Sequence, residues 1–163
     1  YNLDTVSRFR RLGSVRNRGL EFSLSGQIAS GVNLVVGSVY LDAQVSGEEV
    51  DLGLIGKKPV GTFKLHNVAN LNWNLPWHKP LTLTARFEST SNRTANAANT
   101  FVIPARSVTS LGARYRLTLG GKPILIRGSV DNIFNKFGWN VGGSGFFVPN
   151  GSRRYSLTLA TDL

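Results

Sequence analysis

The chain has 163 residues and carries 19 Lys and Arg against 9 Asp and Glu, a net charge of +10, with neither cysteine nor methionine. Lacking sulfur, it has no disulfide framework, thiolate metal site or cysteine nucleophile. Its best apolar run, residues 34–41, already contains Gly37 and Ser38 and falls far short of the ~18 residues a membrane-spanning helix needs. Membrane strands are not excluded in this way, because they alternate, and a mean hydropathy of −0.07 suits them as well as it suits a soluble β-protein. The chain begins with Tyr1 and is read as a mature or cut piece, with any signal peptide upstream.

In chain order, arginines crowd the first eighteen residues at Arg8, Arg10, Arg11, Arg16 and Arg18. Leu20, Phe22 and Leu24 then oppose Glu21, Ser23, Ser25 and Gln27, the period of two that marks a strand with one apolar and one polar face. A turn at residues 29–33 leads to residues 34–43, apolar on both faces and read as a strand from their β-branched content. After a long polar connection, residues 46–61, Phe63, Leu65, Ala69, Leu71 and Trp73 oppose Lys64, His66, Asn70 and Asn72. The turn P-W-H-K-P, residues 76–80, separates this strand from Leu81, Leu83, Ala85 and Phe87, which oppose Thr82, Thr84, Arg86 and Glu88. A second long connection, residues 93–103, precedes Leu111, Ala113, Tyr115 and Leu117 against Gly112, Arg114, Arg116 and Thr118. The turn G-G-K-P, residues 120–123, leads into a strand over 124–132, and a third long connection, 135–151, leads to Tyr155, Leu157 and Leu159 against Arg154, Ser156 and Thr158.

About seven long strands result, with no helical period sustained, so the chain is all-β. Short and long connections alternate. In an up-and-down antiparallel meander that places short turns at one end and large loops at the other, as in outer-membrane barrels. A soluble antiparallel sandwich also alternates apolar and polar faces. Three features favour the membrane barrel. The strands are long enough for ~9–11 tilted residues to cross a bilayer. Trp73 and Trp77 flank a short turn, where an interfacial aromatic belt belongs. Arg86, Arg114, Arg116 and Arg127 sit within strands, on the face a barrel turns to its wet lumen.

Several segments resemble TonB-dependent siderophore receptors. The stretch N-R-T-A-N-A-A-N-T-F-V-I-P-A-R-S-V-T-S-L-G-A-R-Y from Asn92 resembles a polar loop that ends in Pro before a new strand. I-R-G-S-V-D-N-I-F-N-K-F, residues 126–137, resembles the family's penultimate strand, with N-x-F-N-K its most specific part. G-S-R-R-Y-S-L-T-L-A-T-D-L is similar to the closing strand, although Ser152 replaces the usual Pro and Leu163 the usual Phe; after Lys136-Phe137 of the preceding segment, Gly138 replaces the usual aromatic. V-R-N-R-G-L-E-F-S-L-S-G, residues 15–26, and G-K-K-P-V, residues 56–60, are similar to upstream strand and loop segments. The resemblance implies that residues 1–163 are the C-terminal third of a 22-stranded transmembrane β-barrel, with the plug, the TonB-contacting segment and the earlier strands absent. Alone, such a piece is expected to expose sheet edges and apolar surface and to transport nothing.

No enzyme is visible. His66 and His78 have no carboxylate at a metal-ligand offset, and Gly142-Gly143-Ser144-Gly145 lacks the second glycine of a nucleophile elbow. Gly56-Lys57-Lys58 and Gly120-Gly121-Lys122 lack the remaining elements of a phosphate loop. No cofactor is expected, iron entering only inside a siderophore. The arginine excess has no nucleic-acid motif beside it; it suits the outer-leaflet phosphate of lipopolysaccharide, an anionic ferric siderophore, or plain solvation. Ligand contacts are expected from loop residues Arg93, Asn96 and Asn99 in one loop and Trp139, Asn140 and Phe146 in another. Arg114, Arg116 and Arg127 are expected to pair with the plug, or with Glu88 and Asp131 across the lumen. The expected function is TonB-dependent uptake of ferric siderophore across a Gram-negative outer membrane. The alternatives are a soluble β-sandwich binding module and a general diffusion porin.

Overall fold

The structure is a computed structural model that describes residues 2–3, 9–10, 13–142 and 146–161. A short pair, β1 (Asn2–Leu3) and β2 (Phe9–Arg10), precedes the long hairpin of β3 (Gly13–Ala29) and β4 (Val32–Gly47). One helical turn, α1 (Glu48–Asp51), opens the first long connection to β5 (Leu65–Asn74) and β6 (Leu81–Thr90). The second connection holds the small hairpin β7 (Arg93–Thr94) and β8 (Val102–Ile103) before β9 (Arg106–Leu119) and β10 (Lys122–Asp131). The third holds β11 (Trp139–Val141) and β12 (Phe147–Pro149) before β13 (Arg154–Thr161). The seven long strands form one sheet in the order β3-β4-β5-β6-β9-β10-β13, antiparallel throughout. That is the predicted meander. Absent from the prediction were α1 and the small hairpins, which are too short to show a period.

Pairing aligns the faces of all seven strands. Gly26, Leu34, Leu71, Ala85, Leu111, Val130 and Tyr155 are consecutive cross-strand partners from one edge to the other. The neighbouring row, one residue along, reads Gln27, Asn33, Asn72, Thr84, Gly112, Ser129 and Ser156. Successive side chains leave a strand on opposite faces, so these rows are the apolar and polar faces of one continuous wall. Strand β4 is the exception foreseen in the sequence: Val35, Val39 and Leu41 put apolar side chains on the polar face as well. Conversely, Asn67 stands on the apolar face. It accepts a hydrogen bond from the Ser38 hydroxyl (2.7 Å) and donates one to that of Ser89 (3.1 Å), so its carboxamide is satisfied near the long-loop end.

No second layer covers either face among the described residues. Only Leu75, Ala95 and Ile103 are buried hydrophobics, whereas Leu20 is 79%, Leu157 80% and Phe22 58% exposed. A sandwich would bury these side chains in a shared core. The sheet stays open, with β3 and β13 as its edges. At the short-turn end, Gly120 and Gly121 both have positive φ, 60° and 78°, in the two-residue turn that pairs Leu119 with Lys122. Both central positions of that turn need the left-handed region, which glycine reaches without strain.

The N-x-F-N-K segment is a built corner. Asn132 is only 3% exposed and has φ 53°. Its carboxamide accepts from the Lys136 amide (2.8 Å) and donates to the carbonyls of Lys136 (3.0 Å) and Gly151 (3.1 Å). Asn135, φ 50°, accepts from the Arg153 amide (2.9 Å). These two asparagines tie the end of β10 to the segment that enters β13. Asn132→Ala should lower stability by about 2–4 kcal/mol, because it removes three part-buried hydrogen bonds worth roughly 1 kcal/mol each. Asn132→Gly keeps the backbone accessible to positive φ and should be milder by roughly 1 kcal/mol. Urea unfolding midpoints of the two variants measure the difference.

Candidate functional site

The long connections gather at one end of the sheet, and there the structure folds two of them against each other. Residues 56–64 run beside the upper part of β4: the Val45 amide donates to the Lys57 carbonyl (2.8 Å) and the Leu41 amide to the Lys64 carbonyl (2.9 Å). On their other side, Gly61 donates to the Thr94 carbonyl (2.9 Å), Gly56 to the Ala97 carbonyl (2.8 Å), and Phe63 forms a bridge with Arg93. The Ser91 hydroxyl accepts from the amides of both Lys64 and Leu65 (2.9 and 3.0 Å). Between the two anchor points on β4 the chain bows away and leaves a cleft of about 450 Å³. Lys57, Lys58, Lys64 and Arg93 line it together with a single carboxylate, Asp42. The Asp42 side chain already accepts from Gln44 (3.1 Å). Leu41, Pro59, Phe63 and Val102 supply its apolar lining.

Of the residues expected to meet ligand, Arg93 lines this cleft, and its Nε is shielded from solvent without a hydrogen-bond partner among the described residues. Asn99 is a clamp. At φ 59°, its carboxamide accepts from the Lys58 amide (2.8 Å) and donates to the Lys58 carbonyl (2.9 Å), with longer bonds to the carbonyls of Asn96 and Ala97. Asn96 accepts from the Phe101 amide (2.9 Å) and donates to the Thr100 hydroxyl (2.8 Å). The Asn96 carboxamide thus shapes its own loop, and that of Asn99 ties this loop to the neighbouring one. Trp139, Asn140 and Phe146 lie apart from these three, on the hairpin of β11 and β12. There Trp139 meets Phe137 and Phe147 edge to face, at 5.3 and 6.4 Å between ring centroids. Asn140 donates to the Asn150 side chain, and Phe146 packs on Gly142. Lys57, Lys58 and Lys64 had not been foreseen as site residues. The Lys-Lys pair inside a long polar connection was the available signal, and its pairing with residues 92–102 is a tertiary fact.

Arg86, Glu88, Arg114, Arg116 and Arg127 all fall on the polar face, as the alternation implied. Glu88 and Asp131, the carboxylates expected to meet Arg114, Arg116 and Arg127 across the lumen, pair elsewhere. Glu88 pairs with Arg86 (3.0 Å) on its own strand and with His66 (3.8 Å), and Asp131 pairs with Arg154 (2.8 Å). Arg114, Arg116 and Arg127 have no carboxylate partner among the described residues, because register sets Arg114 directly opposite Arg127 and Arg116 opposite Leu125. Of the N-terminal arginines, Arg16 and Arg18 lie within β3, opposite Gln44 and Asp42 at the long-loop end of the apolar face. Arg8 and Arg11, like Gly143, Ser144, Gly145 and Leu163, fall outside the described residues. At the short-turn end, Trp73 and Trp77 meet edge to face (5.4 Å) and His78 stacks on Tyr115 (5.5 Å), which places an aromatic cluster at that rim of the apolar face.

Residues 1–133 match the family described as TonB dependent receptor-like, beta-barrel. The chain belongs to the β-barrel of the TonB-dependent receptors. Among relatives, it is 27% identical over 152 residues to the ferrichrome receptor FcuA of Yersinia enterocolitica, covering 92% of this chain and 20% of that protein. The crystal structure of BauA, the ferric preacinetobactin receptor of Acinetobacter baumannii, superposes with a TM-score of 0.83 at 28% identity, over 93% of this chain and 22% of that one. The siderophore receptor PiuA from the same organism shares the fold at a TM-score of 0.76 and 16% identity, over 91% and 22% of the two chains. The chain spans about a fifth of the length of these proteins. The open, uncovered sheet and this family together leave neither alternative, sandwich module nor porin, favoured.

The cleft's wall depends on the Asn99 clamp. Asn99→Ala should free residues 56–60 and speed tryptic cleavage after Lys57 by about tenfold, since it removes bonds worth roughly 1 kcal/mol each from a loop that opens locally. Gly56→Ala, whose added methyl has no room beside the Asn99 side chain, should act in the same direction.

Proposed function

We propose that this chain forms part of the wall and outer loops of an outer-membrane receptor that imports a ferric siderophore with energy delivered through TonB. The observation that carries this reading is the apolar face running across seven strands with nothing packed on it among the described residues. Exposing such a surface to water is unfavourable, whereas acyl chains solvate it at no comparable cost. Membership of the barrel family agrees with it. In this arrangement the Trp73, Trp77 and Tyr115 cluster sits at the periplasmic interface. Arg16 and Arg18 approach the phosphates of outer-leaflet lipopolysaccharide, not nucleic acid.

The polar face lines the interior, where Arg114, Arg116 and Arg127 meet a plug domain supplied by the rest of the receptor. Iron is cargo within its chelate and is not ligated by the protein, so this part of the molecule needs no cofactor. Capture falls to the loops: a rigid wall holds them open to the medium, and release of the chelate follows the pull of TonB on the plug.

Deleting the gene that encodes the chain should abolish growth in iron-restricted medium on at least one ferric siderophore and leave growth on free iron salts unchanged. Unaltered growth on every siderophore, together with ligand-free ion conductance of the purified protein in planar bilayers, would favour a porin. The face assignment has its own test. Leu83→Arg, on the apolar face, should destabilise the receptor folded in lipid vesicles by about 2–4 kcal/mol, whereas Thr84→Arg, on the polar face, should change it far less.

A further inference from the structure

Asn150 alone among the asparagines is followed by glycine, and this pair lies between β12 and β13. A carboxamide that precedes glycine is open to attack by the next backbone nitrogen, because no Cβ crowds the approach. The fold leaves that approach clear. Gly151 is exposed, and its amide has no hydrogen-bond partner among the described residues. Nothing lies within 4 Å of the point where a Gly151 side chain would begin. The Asn140 carboxamide donates to Oδ1 of Asn150, which draws electron density from the carbonyl carbon under attack. The other end of the Asn150 carboxamide lies beside Arg106. Its Nδ2 and the Arg106 Nε stand 3.0 and 3.2 Å from the point where a Gly138 side chain would begin. Both nitrogens are donors. Nη2 of the same guanidinium donates to the Lys136 carbonyl (3.1 Å), whereas Nε is shielded from solvent and has no acceptor among the described residues. An oxygen where Nδ2 now stands would bring an acceptor to that side of the guanidinium.

We propose that Asn150 is a self-modification site, where the carboxamide becomes a carboxylate that Arg106 receives. The Gly151 nitrogen gives up its proton and bonds to the side-chain carbonyl carbon of Asn150. The carboxamide C–N bond breaks, ammonia leaves with that proton, and a succinimide ring closes. Water then opens the ring. Hydrolysis at the side-chain carbonyl restores the main chain and leaves an aspartate. Hydrolysis at the main-chain carbonyl leaves isoaspartate, which inserts a methylene between two fixed points of the corner. These are the Asn150 amide, bonded to the Gly138 carbonyl (2.8 Å), and the Gly151 carbonyl, held by Asn132 (3.1 Å). Aspartate keeps those bonds and sets its carboxylate against Arg106. Water is the only co-reactant, and the chemistry does not depend on the uptake reading.

The experiment incubates the full-length receptor, folded in lipid vesicles, at mildly alkaline pH and maps it by mass spectrometry. The tryptic peptide of residues 137–153 carries Asn140 and Asn150 together, so one serves as the internal control for the other. Asn150 should convert from amide to acid at least tenfold faster than Asn140 and take up one oxygen from heavy-oxygen water. Gly151→Ala has room for its methyl and no left-handed φ to strain it, so it should fold as wild type does and slow the conversion at least tenfold. Equal rates in wild type and Gly151→Ala, or conversion only after unfolding in urea, overturn the site. The part played by Arg106 is tested with Asn150→Asp, which fixes one product. Its urea midpoint at neutral pH should exceed that of wild type, and the gain should vanish in an Arg106→Gln background. No gain over wild type, or the same gain without Arg106, overturns the pairing.

Discussion

Register is the constraint on which the rest of this structure depends. Each strand carries apolar and polar side chains one residue apart, so a slip of one position at a single hairpin would rotate every following strand's apolar set to the wrong side. The pairing from Gly26 through Leu34, Leu71, Ala85, Leu111 and Val130 to Tyr155 holds one face apolar across the whole sheet. Short turns enforce it: the Gly120-Gly121 turn leaves no length in which to slip. The long connections could have relaxed it. They are held instead by specific local bonds, notably those of Asn132 and Asn99.

That division of labour links the wall to the loops. The wall needs no hydrophobic core, because its backbone bonds run between strands and its apolar surface is suited to contact with lipid. The loops lie beyond it and have little apolar material with which to fold. They are organised by asparagine carboxamides and backbone bridges. Asn96, Asn99, Asn132 and Asn135 each satisfy backbone groups that a loop would otherwise leave to solvent, and three of them adopt the positive φ that asparagine tolerates better than most residues. A loop frame of this kind can hold lysine and arginine side chains around a cleft without a core beneath it.

Charge is sorted in the same way. Opposite charges pair on the polar face, Arg86 with Glu88 two residues along one strand and Asp131 with Arg154 across the register of two. The cations left over, Arg114, Arg116 and Arg127 on the wall and the group around the cleft, account for much of the positive balance. Two of the relatives are named as a ferrichrome receptor and a ferric preacinetobactin receptor. An excess of positive charge on the polar face and around the loop cleft attracts anions.

The alternation of side chains and the spacing of Gly, Pro and Asn determined the class of this protein without help from coordinates: an all-β meander, its faces, its short-turn and long-loop ends, and the family resemblance in N-x-F-N-K. These are local properties, set by the pleat and by turn chemistry within a few residues. Tertiary structure decided which charges meet. Nothing in the order of residues places Lys58 beside Asn99, Arg93 beside Phe63, or Arg114 opposite Arg127. Those distances follow from how loops far apart in sequence pack and from the register of separate strands. Asn96 and Asn99 looked like ligand contacts because a carboxamide in a loop has the same donors and acceptors whether it faces a chelate or a backbone. Only the fold shows that theirs are bonded to the backbone and to a neighbouring hydroxyl.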